Sequence, residues 1–117
     1  MRSDKENLIV TLTTEFAFEI IQFSEQIRAM HRYEMASQIF RSGTSIGANI
    51  REAQNAESKA DFIHKFKISA KEADELEYWL ILCERSEFYP NPSKKLKKDL
   101  KTIIRIISKI ISSSKKK

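Results

Sequence analysis

The scarcity of helix-breaking residues constrains this chain most. Only two glycines and two prolines occur among its 117 residues. A β-rich fold needs a turn about every ten residues, usually with Gly, Pro, Asn or Asp at the turn, so this chain has too few turn residues for one. Long helices with few breaks fit better, and the 41% of hydrophobic residues is enough for one buried core.

Four segments have the apolar spacing of an amphipathic helix, with hydrophobic residues three and four positions apart. We predict helices over residues 13–32, 34–55, 58–86 and 93–112. The first twelve residues are predicted to be an extended lead-in, and residues 112–117 a disordered basic tail. Helices of this length with short connections predict an all-α fold, an antiparallel up-down-up-down four-helix bundle that forms a single domain over residues 1–117.

Two of the predicted helix starts have recognisable capping residues. Ser58 and Asp61 have the form of a capping box, with Asp in place of Glu. Before the fourth helix, Asn91 is predicted to be the N-cap and Pro92 to occupy the first helical position, where its missing N–H costs nothing. No Gly or Pro marks the boundary between the first two helices, which we place near residues 31–33.

Both glycines lie in the middle of the second helix, four residues apart. Each costs roughly 0.5–1 kcal/mol relative to Ala in a helix interior, which indicates close approach of another backbone. Counting outward from a turn near Glu57 places Gly43 and Gly47 level with Ser69 and Ala73 of the third helix. We therefore predict unusually close packing of the second and third helices at these four residues. The alternative is that the glycines line a ligand groove.

Apolar residues cover nearly half the circumference of the fourth helix. They are Leu96, Leu100, Ile103, Ile104, Ile106, Ile107, Ile110 and Ile111. A bundle core needs a narrower stripe. The extra width predicts a second apolar contact, most simply with another subunit.

Basic side chains occupy the opposite side of the fourth helix. Residues 94–117 contain ten Lys or Arg and one acid, a net charge of +9, whereas residues 1–93 carry −4. Two interpretations remain open: a solvated face that keeps the protein soluble, or a strip that binds RNA or DNA phosphates. A membrane-surface helix would usually carry Trp or Phe at its boundary, and this one carries neither. The candidate nucleic-acid-binding residues are Lys94, Lys97, Lys98, Lys101, Arg105 and Lys109.

The sequence contains no evident catalytic, metal or cofactor site. His31 and His64 fall on different helices without clustered Cys or carboxylates, so both are interpreted as surface residues. Cys83 lies on the core stripe of the third helix and is interpreted as a packed thiol rather than a nucleophile. The acidic residues within 72–77 lack the Glu-x-x-His pairing of di-metal bundles. We interpret them as a solvated or ion-paired face, and Trp79 beside them as a helix-contact anchor.

Cellular location is inferred from the N-terminus, the hydropathy and the single cysteine. The first six residues carry mixed charge and resemble no signal peptide. No stretch reaches the roughly 18 apolar residues of a membrane-spanning helix, and a lone Cys suits a reducing compartment. We expect a cytoplasmic protein without contact to membranes and without a small-molecule substrate.

The second helix carries the most specific pattern in the chain. Its thirteen residues from Arg41 to Ala53, RSGTSIGANIREA, closely resemble the signature of a bacterial four-helix bundle family. That family was first noted as reading frames within intervening sequences of large-subunit (23S) ribosomal RNA genes. The resemblance covers about residues 13–111. It continues through Ser58, Asp61, Phe62, Lys65, residues 71–73 and residues 78–80.

This resemblance implies a four-helix bundle that assembles into a ring-shaped homopentamer and has no established enzymatic activity. The family is similar to the accessory protein of diversity-generating retroelements, a basic pentamer that binds nucleic acid and the reverse transcriptase. Two functions follow as hypotheses. The first is a non-enzymatic oligomer that binds RNA or DNA through the basic side of the fourth helix. The alternative is a structural or adaptor oligomer whose partner is a protein.

Overall fold

The first helix begins well before its predicted start. The structure is a computed structural model that describes residues 4–116, and helix α1 runs Asp4–Ala29. The predicted extended lead-in is therefore wrong for residues 4–12, while residues 1–3 lie outside the described residues. The reason is that Ile9 and Thr13 are both buried, which continues the core stripe of α1 toward its N-terminus. The Thr13 hydroxyl donates to the Ile9 carbonyl oxygen at 2.8 Å, so it can enter the core with its donor satisfied.

A Schellman turn separates α1 from α2, which runs Tyr33–Ala53. His31 N–H donates to the Arg28 carbonyl at 2.9 Å, and Arg32 N–H donates to the Ile27 carbonyl at 3.4 Å. His31 has a φ of 62°, the left-handed conformation that this turn requires and that Gly usually supplies. The predicted boundary near residues 31–33 is confirmed.

The third helix, α3, runs Lys59–Arg85, close to its predicted bounds. Ser58 is its N-cap, and its hydroxyl accepts from the Asp61 N–H at 3.0 Å, as predicted. The Asp61 carboxylate accepts from the Glu57 N–H at 3.2 Å, one residue before the partner of an ideal capping box.

The fourth helix, α4, runs Lys94–Lys115. Its N-cap is Ser93, whose hydroxyl accepts from the Leu96 N–H at 3.0 Å, so the prediction of Asn91 as cap is wrong. Pro92 precedes the cap instead of following it. The helix also continues through most of the predicted disordered tail, because Ile110 and Ile111 anchor its last turns on the core. Lys117 lies outside the described residues.

The helices form an antiparallel up-down-up-down bundle, and the predicted all-α fold is confirmed. Each helix packs on the one before it, and α4 closes the bundle against α1. The bundle measures 47 × 21 × 19 Å. Its core is built from the apolar stripes of all four helices, with Phe16, Ile46, Phe66, Leu76 and Ile107 among the fully buried side chains.

Gly43 and Gly47 face α1, not α3 as predicted. A Cβ atom added to Gly43 would lie 2.6 Å from Cγ2 of Ile20, and one added to Gly47 would lie 3.3 Å from the Thr13 side chain and carbonyl oxygen. The buried side of α2 contacts both neighbouring helices, and these glycines lie on the part turned toward α1. Counting from a turn gives the height of a residue along the bundle but not its direction around the helix axis.

Ser69 provides the close contact between α2 and α3. Its hydroxyl is buried and donates to the Ile46 carbonyl oxygen of α2 at 2.9 Å. A side chain as short as Ser reaches a backbone atom of a neighbouring helix only when the two helices lie close together. Ala73, one turn later, is fully buried as well.

Candidate nucleic-acid interface

The basic residues of α4 line the side of the helix that is turned away from the core. Lys94, Lys98, Lys101, Arg105 and Lys109 are exposed, and the described residues offer none of them an ion pair. We call these five residues the basic strip. At a rise of 1.5 Å per residue, the strip spans roughly 22 Å, with one cation about every 5–6 Å.

Lys97, the sixth predicted residue, stands apart from the strip. Its ammonium group forms an ion pair with the Glu84 carboxylate of α3 and is only partly exposed. The structure thus brings five of the six predicted residues into one continuous line and uses the sixth to join α4 to α3.

The first turn of α4 concentrates positive charge at an unfavourable place. It contains Lys94, Lys95 and Lys97 and no acidic residue. The free N–H groups of a helix start already carry partial positive charge, so cations there are locally unfavourable. Lys95 and Lys97 are offset by ion pairs with carboxylates, whereas the described residues offer Lys94 none.

Lys95 lies on the side of α4 that faces α1. Its ammonium group lies 3.3 Å from the Glu19 carboxylate and 2.7 Å from the Asp99 carboxylate. The hydrogen bond from Lys95 lowers the pKa of Asp99. Burial, with a hydrogen bond to Asp99, raises the pKa of Glu19. This cluster is an α1–α4 contact and is not part of the basic strip.

The extra isoleucines of α4 pack within the bundle of the same chain. Ile104, Ile106 and Ile111 are half-buried and pack against the core of the same chain. The stripe is wide because α4 lies between α1 and α3 and contacts both. The inference of another subunit from the width of this stripe therefore loses its basis.

The acidic residues of α3 are tied to α2 and to Trp79. Arg41 forms ion pairs with Glu72, at 3.4 Å, and with Glu75. The indole N–H of Trp79 donates to the Glu75 carboxylate at 3.1 Å. The ion pairs of Glu72 and Glu75 agree with the interpretation of an ion-paired face, and Trp79 is half-buried against the core. The ion pairs also show that Arg41 and Glu72, both within the motifs of the resemblance, join the two helices.

Other reactive side chains are held in structural roles or exposed singly. Burial raises the pKa of the Cys83 thiol to about 11, which keeps it protonated at neutral pH. His31 Nδ1 lies 2.7 Å from the Tyr33 hydroxyl, and His64 is exposed on α3. Among the described side chains, no three His, Cys, Asp or Glu residues are grouped to hold a metal ion. Within residues 4–116, no helix is both long and apolar enough to cross a membrane.

Sequence reasoning missed an apolar surface on α1 and α2. Phe18, Ile21 and Phe40 are exposed to solvent by 60%, 37% and 44%. The signal was present, because Phe18 lies two residues, or about 200°, from the core residue Phe16 and therefore faces outward.

Comparisons with known proteins agree with this architecture. The sequence pattern of a family described as 23S rRNA-intervening sequence protein matches residues 5–109. The chain is also similar to a crystal structure from Bacteroides thetaiotaomicron VPI-5482, a protein with unknown function from the S23 ribosomal protein family. The two are 41% identical with a TM-score of 0.86, and the match covers 92% of this chain and 98% of that one. A comparison with curated proteins gives no match. The chain therefore belongs to the 23S rRNA-intervening sequence protein family.

Proposed function

We propose that this protein is a non-enzymatic, oligomeric nucleic-acid-binding protein that holds an RNA or DNA backbone along the basic strip of α4. The observation that supports this proposal is the line of five exposed cations without ion pairs among the described residues. By contrast, Arg41 is paired with Glu72 and Lys65 with Glu52. A run of unpaired cations on one side of a helix attracts a polyanion.

The start of α4 adds to this attraction. Lys94 combines with the partial positive charge of the first N–H groups, so the potential of the strip is strongest at that end. Positive charge that disfavours an isolated helix becomes favourable when a phosphate lies beside it. Sites where a local stability rule is broken are often functional.

Contacts of this kind bind phosphate and do not read bases. The strip consists of long flexible cations, and α4 (Lys94–Lys115) contains no Phe, Tyr or Trp on which bases could stack. The expected binding is therefore tolerant of sequence and sensitive to salt. The proposal includes no catalysis because the reactive side chains have other roles. Cys83 is a protonated core thiol, and Glu72 and Glu75 neutralise Arg41.

The test is a titration of the protein with a fluorescently labelled single-stranded RNA at several salt concentrations. The logarithm of affinity should fall with the logarithm of salt with a slope of about −0.7 per phosphate contacted. The triple variant Lys98→Gln, Lys101→Gln, Arg105→Gln should bind more weakly and show a flatter slope. Its melting temperature should change little, because all three side chains point away from the core.

A matched control separates the strip from net charge alone. The variant Lys67→Gln, Lys71→Gln, Arg85→Gln removes the same three charges from exposed positions on α3. It should keep most of the affinity and the wild-type slope. Equal loss in both triple variants would mean that only net charge matters, and no binding by the wild type at low salt would reject the proposal.

The proposed oligomer is the homopentamer that the resemblance implies. Copies of the strip around such an assembly would strengthen weak phosphate contacts by multivalency. Light scattering at micromolar concentration tests this part separately, since a stable particle of 13.6 kDa, the mass of one chain, would contradict it.

An adaptor that binds a protein is the second candidate, and one cleft favours it. Between α3 and α4 lies a cleft of about 540 Å³, with Leu80, Ile81 and Leu100 along its apolar part. Ile81 is 42% exposed, so an apolar side chain of a partner could cover it. Replacement of Ile81 by Asn should abolish such docking and leave the RNA titration nearly unchanged, because it adds no charge beside Lys94, Lys98 and Lys101, which line the same cleft.

A further inference from the structure

Aromatic side chains are gathered at one end of the bundle. Because the helices are antiparallel, α1 and α3 end where α2 and α4 begin, so the turn at residues 30–32 and the connection at residues 86–93 lie together. The turn and the start of α2 contribute His31, Arg32 and Tyr33, and the connection contributes Phe88 and Tyr89. We call these five residues the aromatic end.

The rings of the aromatic end are exposed but held by contacts with their neighbours. Tyr33 and Phe88 are exposed by 53% and 57%. The guanidinium carbon of Arg32 lies over the Phe88 ring, 5.5 Å from its centre. The His31 and Tyr33 rings meet edge to face with centres 5.8 Å apart, and His31 Nδ1 lies 2.7 Å from the Tyr33 hydroxyl. Rings that are already held lose little conformational entropy when a ligand stacks on them.

A cavity of about 360 Å³ opens beside these rings. It is lined by His31, Arg32, Tyr33, Glu34, Met35 and Tyr89, and its volume is in the usual range for ligand sites, roughly 300–1,000 Å³. Arg32 and Glu34 bring opposite charges, so the cavity does not concentrate positive charge as the basic strip does. It suits a flat, uncharged group that carries N–H donors and carbonyl acceptors on its edge, which is the chemistry of a nucleobase.

The aromatic end adjoins the end of the basic strip where the positive potential is strongest. Lys94 follows Tyr89 by five residues, so their Cα atoms are at most about 18 Å apart. The strip adds roughly 22 Å along α4. At about 3.4 Å per nucleotide of one strand, a segment of about twelve nucleotides spans both. The aromatic end thus offers a stacking surface next to the strip, on a part of the chain outside α4.

Stacking on these rings is possible only for bases that are not paired. In a duplex the faces of the bases are covered by their neighbours, whereas the bases of a single strand can turn outward and stack on aromatic rings or on an arginine plane. Rings beside a line of cations therefore favour a single strand over a duplex.

We propose that the aromatic end binds unpaired nucleobases of the strand whose backbone lies along the basic strip, so that the ligand is single-stranded RNA or DNA. The inference rests on the proposed function and narrows its ligand. Tyr33 and Phe88 are the stacking residues, because their rings are the most exposed of the cluster. Binding stays tolerant of sequence, since every base has a face that can stack.

The test compares two labelled strands of equal length and charge, one of about twelve uridines and one whose sugars carry no base. We expect the wild type to bind the uridine strand at least about fivefold more tightly at the same salt concentration. The double variant Tyr33→Leu, Phe88→Leu should lose this preference and bind both strands with the affinity of the base-free strand. Its salt slope should stay unchanged, because the phosphate contacts remain.

Three further variants keep the result specific. Both substituted rings are more than half exposed, so the double variant should keep its helical circular dichroism. The variant Tyr33→Phe retains the ring and should retain the preference. The control Phe18→Leu, Tyr78→Leu removes rings that are exposed by 60% and 55% but lie within α1 and α3, about two turns or more from this end. It should bind both strands like the wild type.

The outcomes separate this inference from the proposed function. Equal binding of the two strands by the wild type, or a preference that survives the loss of Tyr33 and Phe88, would overturn the role of the aromatic end. The basic strip would still stand if the salt slope flattened in the triple variant of α4. A wild type that binds neither strand at low salt would overturn both proposals.

Discussion

At the scale of single residues, Gly43 shows how one missing side chain sets the distance between two helices. Ile20 is fully buried and fills the space that a Gly43 side chain would occupy, with Cγ2, Cγ1 and Cδ1 all within 3 Å of an added Cβ. A β-branched side chain in a helix has essentially one rotamer. Ile20 therefore cannot turn aside, and α1 and α2 would have to separate.

We predict that Gly43→Ala destabilises the protein by about 1–3 kcal/mol, because overpacking outweighs the gain of about 1 kcal/mol in helix propensity. Gly47→Ala should cost less, since its nearest neighbour, Thr13, lies at 3.3 Å and has only to shift slightly. Urea denaturation measures both. The double variant Ile20→Ala, Gly43→Ala should lose less stability than the sum of the losses in the two single variants. Losses that add fully would disprove the clash.

The sequence alone predicted the close approach at Gly43 but not the neighbour. A glycine in a helix interior indicates that some backbone comes near. Which neighbouring helix a glycine faces depends on which part of the buried side of α2 contacts α1 and which part contacts α3. Only the packing of the whole bundle determines this. The start of α1 was misplaced for a related reason: a polar residue such as Thr13 looks like a helix boundary in the sequence, although its hydroxyl is satisfied by the Ile9 carbonyl oxygen inside the core.

At the scale of the helix, the ends are set by a few residues in special conformations. Ser58 and Ser93 cap α3 and α4 through the same geometry, each accepting from the N–H three residues later. Only the first was predicted, because Asn91 and Pro92 together form an equally good cap pattern two residues earlier. When two cap patterns lie within two residues of each other, packing decides between them. Here the burial of Leu96 favours Ser93 as the cap.

We predict that His31→Gly stabilises the protein. His31 has a φ of 62° at the end of α1, where a side chain usually costs about 1 kcal/mol and Gly costs nothing. The gain should be smaller than this, since the contact between His31 Nδ1 and the Tyr33 hydroxyl is lost. Thermal melting measures it, with Arg32→Gly as a control that should destabilise. A lower melting temperature for His31→Gly would show that the contact outweighs the backbone strain.

At the scale of the whole molecule, charge and apolar surface are segregated. The basic strip lies on α4, whereas the exposed apolar side chains Phe18, Ile21 and Phe40 lie on α1 and α2. The strip was predictable from sequence, because the opposite sides of one amphipathic helix can be read from its period. That Phe18 faces outward was also predictable, but its grouping with Phe40 was not, because it depends on how α1 and α2 align at Gly43 and Gly47.

The contact between α1 and α4 should make stability depend on pH. The raised pKa of Glu19 means that its ionised form disfavours folding. This destabilisation appears as the pH rises through about 4.5, its ordinary pKa, and is absent in more acidic solution. The lowered pKa of Asp99 acts oppositely, adding stability that is lost as the pH falls.

We predict that Glu19→Gln raises the melting temperature at pH 7 and not at pH 4, with a gain below about 1 kcal/mol. Lys95 keeps its contact with Asp99 in this variant. Thermal melts at both pH values measure the effect. Glu15→Gln removes the same charge from an exposed position on the same helix, and it should leave the melting temperature unaltered at both pH values. A lower melting temperature for Glu19→Gln at pH 7 would mean that the lost pairing with Lys95 outweighs the relieved burial.

The position of α4 has a consequence for how the protein is made and held together. It follows α1, α2 and α3 in chain order, and it packs less extensively on its neighbours than α2 packs on α1 and α3. A nascent chain can thus assemble α1, α2 and α3 before α4 closes the core. Because the basic strip forms only when α4 is helical, an RNA bound along it would favour the folded chain. By mass action, a ligand that binds only the closed bundle also slows its opening and degradation.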